Sequence, residues 1–434
     1  MPEERVLAAR ELRQARIQTL LASHPLVITI QANRPGWPKE DLIASYLTYR
    51  FFGLLKEHVF PAGIDTMYDD LGAFLLLGAD GEAKRVKQAA LSLEANDPLG
   101  RLIDIDVYSE SGALSRDALG LAPRPCLVCA DDARVCRRLG RHEKKQVTDA
   151  YDSLFASHLA SLPLFRQLGL LAETAMWGEL CRLHGFGSVT LNSNGSHRDM
   201  QLTHMLASIE QVADGIRSLT PDAMAALPAL RAHGRTVERA MLEATGGINT
   251  HKGALFHLLI ATAAVWSMRD QLNDEMPLKR FATKLMQAVI VLAAPLQDDL
   301  AAADAGEAPE SQGLQSYLRY GHAGARQEAI RGYEQLLTRW LPRFTAVPEL
   351  MPLLPEILHR TWDTTTLKRG GFGMLQTLRQ MALGASGEGD LAYLSAWCEK
   401  NELSTGGSAD LITLLYYVHL IFRFRGVLQL EALD

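Results

Sequence analysis

The feature that most constrains this 434-residue chain is a change of texture near Tyr151. Before it, short β-branched runs alternate with helical patterns. After it, long Ala- and Leu-rich segments carry apolar residues at three- and four-residue spacing, separated by short Gly- and Pro-rich breaks. A half-buried strand needs period two, and no convincing run of that kind follows Tyr151. The pattern predicts a two-domain α+β chain, with a mixed α/β domain over 1–152 and an all-α domain over 153–434. In the first domain helices are expected over 4–23, 45–58 and 84–95, and strands over 26–30, 74–77 and 102–108. In the second, helices are expected over 163–184, 198–216, 228–244, 254–266, 279–300, 323–340, 374–383 and 410–422. The segment 301–313 reads as a surface loop within the helical domain. The uncharged run 253–268 reads as a buried helix, being too short and polar for a membrane span.

The sharpest pattern in the first domain is GRLIDIDV. In a strand Asp104 and Asp106 share one face, while Ile103, Ile105 and Val107 turn into a core. Two carboxylates side by side suit Mg²⁺, which takes hard oxygen ligands together with substrate phosphates. Nucleotidyl transfer needs such an ion to offset the charge of a departing diphosphate, so a nucleotidyltransferase-like domain is expected. Lys39, Arg101 and Arg116 are candidates to hold phosphate oxygens. Further on, Cys126-x2-Cys129-x6-Cys136-x5-His142 has the ligand types of a structural Zn²⁺ site, with a shorter central spacing than a usual finger. Buried free thiols are the alternative.

Five polar clusters interrupt the second domain at expected helix ends. They contain Asn194, His197 and Asp199; Asn249, His251 and Lys252; Arg326 and Glu328; Asp363 and Arg369; and Ser408 and Asp410. Glycines there let backbone amides approach a ligand, and helix N-termini favour anions. Any one cluster can be a helix cap. Five together point to one pocket for a large phosphorylated ligand.

Net charge is -6, from 44 Lys plus Arg against 50 Asp plus Glu, which disfavours a nucleic-acid partner. Five cysteines and a charged start, MPEERVLAARELRQAR, without the apolar core of a secretory signal, predict a cytoplasmic protein with no membrane partner.

RELRQAR, NRPGWPK, DPLGRLIDIDV, LSRDALGLAPRPCLVC and ARVCRRLGRH, in that order over 10–142, resemble the citrate lyase holo-carrier synthase family, the apo-citrate lyase phosphoribosyl-dephospho-CoA transferases. GSHRDM, ATGGINTHKGALF, GARQEA, LKRGG and GGSADL, over roughly 164–415, resemble the triphosphoribosyl-dephospho-CoA synthases. The resemblance implies a fused pair of consecutive enzymes. One takes ATP and 3'-dephospho-CoA to 2'-(5''-triphosphoribosyl)-3'-dephospho-CoA and adenine. The other moves the phosphoribosyl-dephospho-CoA group to a serine of the citrate lyase acyl carrier subunit, releasing pyrophosphate. For the first reaction, a carboxylate would deprotonate the 2'-hydroxyl or stabilise an oxocarbenium-like transition state. Asp199 is the first choice, with Glu328 and Asp363 as alternatives. His197 or His251 would assist adenine departure. Lys252, Arg326 and Arg369 would hold the triphosphate, with Mg²⁺. The chain departs from the family string Pro-Gly-Leu-Val-Asp at 186–190, where Thr190 replaces the Asp; Thr405 and Thr365 replace a Pro and an Asn. Two other readings remain open: a nucleotide-binding, carrier-docking protein without turnover, and the equivalent enzyme pair for malonate decarboxylase.

Overall fold

A computed structural model describes residues 2–129, 131–306 and 311–428. It divides into two units, Met1–Ser161 and Leu162–Asp434.

In the first unit the order is α1 (Pro2–Leu21), β1 (Leu26–Ala32), α2 (Leu42–Lys56), β2 (Pro61–Asp69), β3 (Gly72–Ala79), α3 (Ala83–Asn96), β4 (Ile103–Ser109), β5 (Gly112–Ala113), α4 (Ala133–Leu139) and α5 (Lys144–Ala160). The strands form one antiparallel sheet, β2-β3-β1-β4-β5. Period two sorts the central strands. Ile28, Ile30, Ile103, Ile105 and Val107 are fully buried, while Asp104 and Asp106 are half-buried. On the Asp face Ile17 of α1 packs against Val27, Met67, Phe74 and Leu76. Arg13, also on α1, pairs with Asp69 through two bonds of 2.9 and 2.7 Å and also reaches Gln31 and the Gly72 carbonyl. Removing one side of such a buried pair costs about 3–5 kcal/mol.

The sequence pattern misses β2 because Pro61 and Gly63 weaken it. An edge strand with a register shift between those residues tolerates both. It also assigns no helix to 133–160. There α4 is capped by Asp132, and α5 begins with a Glu143–Gln146 capping box. Position 152 lies inside α5, whose Tyr151, Phe155 and Leu159 are buried.

Every strand among the described residues is in the first unit. The second contains α6 (Leu164–Leu180), α7 (Leu202–Arg217), α8 (Pro221–Met224), α9 (Leu227–Ala244), α10 (Lys252–Ser267), α11 (Leu278–Ala293), α12 (Leu296–Asp304), α13 (Gln312–Tyr320), α14 (Ala325–Ile330), α15 (Leu354–Arg360), α16 (Thr364–Gly384), α17 (Glu388–Lys400) and α18 (Gly406–Phe424). Helices α6, α10 and α18 are apolar on most sides and form the core.

Four expected helices are corrected. The helix over 279–300 breaks into α11 and α12 at Ala294-Pro295, with a 45° bend. The one over 323–340 stops at Ile330, because Gly332 and Tyr333 take positive φ, and resumes as a π-helical turn. The one over 198–216 begins only at Leu202. Helix α16 starts ten residues before its expected position of 374, with a non-helical Gly371 inside it. In the expected loop 301–313, residues 307–310 lie outside the described residues. No single helix among the described residues is long and apolar enough to cross a membrane; the bent pair α11–α12 passes by length and composition together.

Candidate functional site

In the first unit the outer edge of β4 is closed by side chains of α3. Lys87 donates to the Ile105 carbonyl at 2.7 Å and pairs with Asp106 at 3.3 Å. Glu94 accepts from the Ile105 amide at 3.0 Å. Glu94 also pairs with Arg124 at 2.5 Å and Arg116 at 3.6 Å. Arg124 donates to the Ile103 carbonyl and to Asp104, and Arg101 donates to the Pro125 carbonyl. Burial raises the Asp104 carboxyl, against the pull of Arg124. Burial first, then Arg34 and Arg10, lowers Lys39, which donates to the Arg34 carbonyl. The structure thus brings Lys39 and Arg101 near Asp104, and Arg116 to the neighbouring Glu94. It adds Arg124, Glu94 and Lys87, which the sequence reading passed over as ordinary loop and helix charges.

Cys126, Cys129, Cys136 and His142 also come together, their ligand atoms all within 4.8 Å of one another. Burial raises the Cys126 thiol, but hydrogen bonds from the Val128 and Cys129 amides outweigh it and hold its pKa below the usual value. Cys136 is pushed up to about 11, by burial first.

In the second unit a cleft of about 1050 Å³ is lined by the first residues of several helices, among them Lys252, Ala325, Thr364 and Gly406. His197, Asp199, Asn249, His251, Lys252, Arg326, Glu328, Arg369 and Asp410 all line it, so residues far apart in sequence converge. Asn194, Asp363 and Ser408 are not among the lining residues. Asp363 instead caps α16. It accepts from the Thr365 and Thr366 amides at 3.0 Å each, and from the Ser408 amide and hydroxyl at 2.8 and 3.1 Å. Four accepted bonds commit this buried carboxylate to holding two helix starts together.

The cations are held by partners. Lys252 pairs with Glu238 at 2.6 Å, and Arg326 with Asp299 at 3.1 Å and the Ser311 hydroxyl at 2.8 Å. Arg369 donates to the Ser196 and Glu402 carbonyls and to His197 Nδ1 at 3.0 Å. Guanidinium only donates, so His197 Nδ1 accepts and its Nε2 carries the proton toward Ser404 Oγ, 3.0 Å away. Burial, then Arg369, lowers its pKa.

His251 is buried at the start of α10. Its Nδ1 is 2.7 Å from Ser208 Oγ, its Nε2 has no hydrogen-bond partner, and burial lowers its pKa to about 4. Glu328 is raised to about 7 by burial. Asp410 is raised well above the usual carboxylate range by burial, then by Asp363 and Glu179. Asp410 presses on α10 so closely that a Cβ at Gly253 would lie 1.9 Å from its carboxylate. Asp199 is exposed and lines the cleft. Sequence reasoning missed His257, 3.0 Å from the Tyr333 hydroxyl, and Arg231, paired with Asp299; both lie in patterns that read as ordinary helix. Of the family departures, Thr190 is buried and its hydroxyl accepts from the Asn192 amide at 3.2 Å.

Helix starts, cations and carboxyls set apart in pKa suit group transfer on a phosphorylated substrate. The chain belongs to the family of the ATP:dephospho-CoA triphosphoribosyl transferases (CitG), which matches residues 165–426. Residues 3–158 match the apo-citrate lyase phosphoribosyl-dephospho-CoA transferases (CitX). Among curated relatives, "Protein CitXG" of Haemophilus influenzae is 29% identical over 98% of this chain and 96% of its own length. "Protein CitXG" of Leuconostoc mesenteroides subsp. cremoris is 26% identical over 96% of each. A "Probable 2-(5''-triphosphoribosyl)-3'-dephosphocoenzyme-A synthase" of Vibrio cholerae is 32% identical over 62% of this chain and 93% of its own.

Proposed function

We propose that this chain makes and attaches the citrate lyase prosthetic group. The second unit transfers the triphosphoribosyl group of ATP to 3'-dephospho-CoA and releases adenine. The first transfers the phosphoribosyl-dephospho-CoA group to a serine of the apo acyl carrier subunit and releases pyrophosphate. The observation that carries this reading is the pair of family matches in one chain: the product of one described activity is the donor for the other.

In the cleft, Lys252, Arg326 and Arg369 hold the triphosphate, with the amides at the starts of α10 and α18. Asn249 and Asp199 contact the ligand. Glu328 takes the proton of the incoming 2'-hydroxyl, and its pKa of about 7 makes it the best base among the candidate carboxylates. Asp363 is spent on helix capping, and Asp199 stands in water. Asp410, whose carboxyl burial raises well above the usual carboxylate range, is placed to donate a proton to departing adenine. Neutral His251 orients the ligand through its unpartnered Nε2, and neutral His197 positions Arg369.

In the first unit, a nucleotidyltransferase-like arrangement, Asp104 and Asp106 are the residues that would hold Mg²⁺. The fit rests on their shared, partly open face and on a desolvated Asp104 that gains from a cation. Bound there, Mg²⁺ would offset the charge of the leaving pyrophosphate. Arg101, Arg116 and Lys39 bind phosphate oxygens, and Arg124 orients Asp104. The cytoplasm, a reducing compartment, is the proposed setting.

The test supplies ATP, dephospho-CoA and apo-carrier and follows adenine and pyrophosphate separately. Adenine should appear without carrier, and pyrophosphate only with it. Absence of adenine would support docking without turnover. Loading of the malonate decarboxylase carrier in place of the citrate lyase carrier would redirect the reading.

A further inference from the structure

We propose that Cys126, Cys129, Cys136 and His142 bind one zinc ion, and that this centre holds Arg124 and Arg101 in place beside Asp104. The Cys129 and Cys136 sulfurs are 3.5 Å apart, and His142 Nε2 is 3.2 Å from Cys129 Sγ. Two thiolates sharing a tetrahedral zinc at 2.3 Å each stand about 3.8 Å apart, whereas a disulfide needs about 2.05 Å. Three sulfurs and one imidazole nitrogen are a complete tetrahedral set, with no position left open for chemistry. Neither half-reaction uses a thiol.

The fold builds the site as a closed loop. Pro125 bridges to Asp132; the Cys126 amide donates to the Asp131 carbonyl at 2.6 Å, and the Ala133 amide to the Arg124 carbonyl at 3.0 Å. These bonds put Cys126 and Cys129 on a turn, Cys136 on α4, and His142 just beyond the Gly140 cap. The residue two before the first ligand is Arg124, which meets Asp104, Glu94 and the Ile103 carbonyl. The residue between them is Pro125, whose carbonyl receives Arg101. Loss of the metal frees the loop and with it two of the cations around the carboxylate pair.

The coupling to carrier loading rests on the function proposed above; the zinc itself does not. The experiment uses the full-length chain. Metal content is measured by atomic emission, Co²⁺ is exchanged in, and its visible spectrum is read for thiolate ligation. About one zinc per chain and a tetrahedral cobalt–thiolate spectrum are expected, both lost in Cys129→Ser. Chelated protein should lose carrier loading at least ~10-fold while adenine release is unchanged, and zinc should restore it. Arg124→Ala should keep its zinc and lose loading alike. Protein that takes up neither zinc nor cobalt, or a Cys129–Cys136 disulfide found by mass spectrometry, overturns the site. Zinc that leaves without changing loading overturns the coupling. Zinc-replete protein that loads no carrier would instead indict the function.

Discussion

The first unit displays Asp104 and Asp106 on a sheet face, half open to water, and steadies them with ion pairs to Arg124 and Lys87. The second hides its titratable groups among helix ends, where burial shifts His251, Glu328 and Asp410 far from their ordinary values. The difference matches the bonds to be broken. Breaking a phosphoanhydride bond releases pyrophosphate as a stable anion, so charge neutralisation carries the departure and the only proton to be moved is that of the attacking serine hydroxyl. A glycosidic bond to adenine needs one proton removed and another delivered, so groups with separated pKa values are required. An exposed ionic site should therefore respond to metal and salt, and a buried one to pH.

The largest effect should come from breaking the buried site. Glu328→Gln keeps the size and removes the base, so adenine release should fall at least ~100-fold, while carrier loading from the finished triphosphoribosyl compound persists. Asp104→Asn should reverse the pattern: loading falls by about 100-fold and adenine release continues. Lys252→Ala removes one charged contact, and KM for ATP should rise about tenfold or more with little change for dephospho-CoA. An equal rise for both would mean that the triphosphate lies elsewhere.

The pH profile sharpens the contrast. Glu328 acts as a base only when ionised, and its carboxyl is raised to about 7. Adenine release should therefore climb as pH rises through about 7 and level off above it. Carrier loading, measured with the finished compound, should lack that step. Stability has its own sign. The folded pKa of His251 is about 4, below its ordinary 6.5, so the folded state resists the proton that the unfolded state accepts. That contribution is intact above 6.5 and is lost as pH falls toward 4, which thermal melts of wild type and His251→Gln would separate. Smallest of all, Gly253→Ala should lower Tm by a few degrees, because its methyl would meet the Asp410 carboxylate at 1.9 Å.

What could be read in advance followed from how each site is built. Asp104 and Asp106 were legible because strand alternation places them together, and the cysteine spacing announced its own cluster. The cleft residues were legible as motifs but not as roles. Asp363 looks catalytic until Ser408, 45 positions away, is seen to occupy it. Glu328 stands in the sequence only as an alternative to Asp199 until its burial is known. Arg124 sits in a loop without periodicity, so its reach to Asp104 has no local signal. The breaks at Pro295 and Gly332 were visible as residue types, yet a continuous apolar pattern outweighed them.

The central claim is that each unit holds a complete site for one step. The direct measurement mixes Glu328→Gln chains with Asp104→Asn chains, supplies ATP, dephospho-CoA and apo-carrier, and follows carrier loading by mass. Each variant alone should load nothing. The mixture should load the carrier, because one chain makes the intermediate and the other attaches it. A mixture that stays silent, with both variants folded and the finished compound still loaded by Glu328→Gln, would contradict the account.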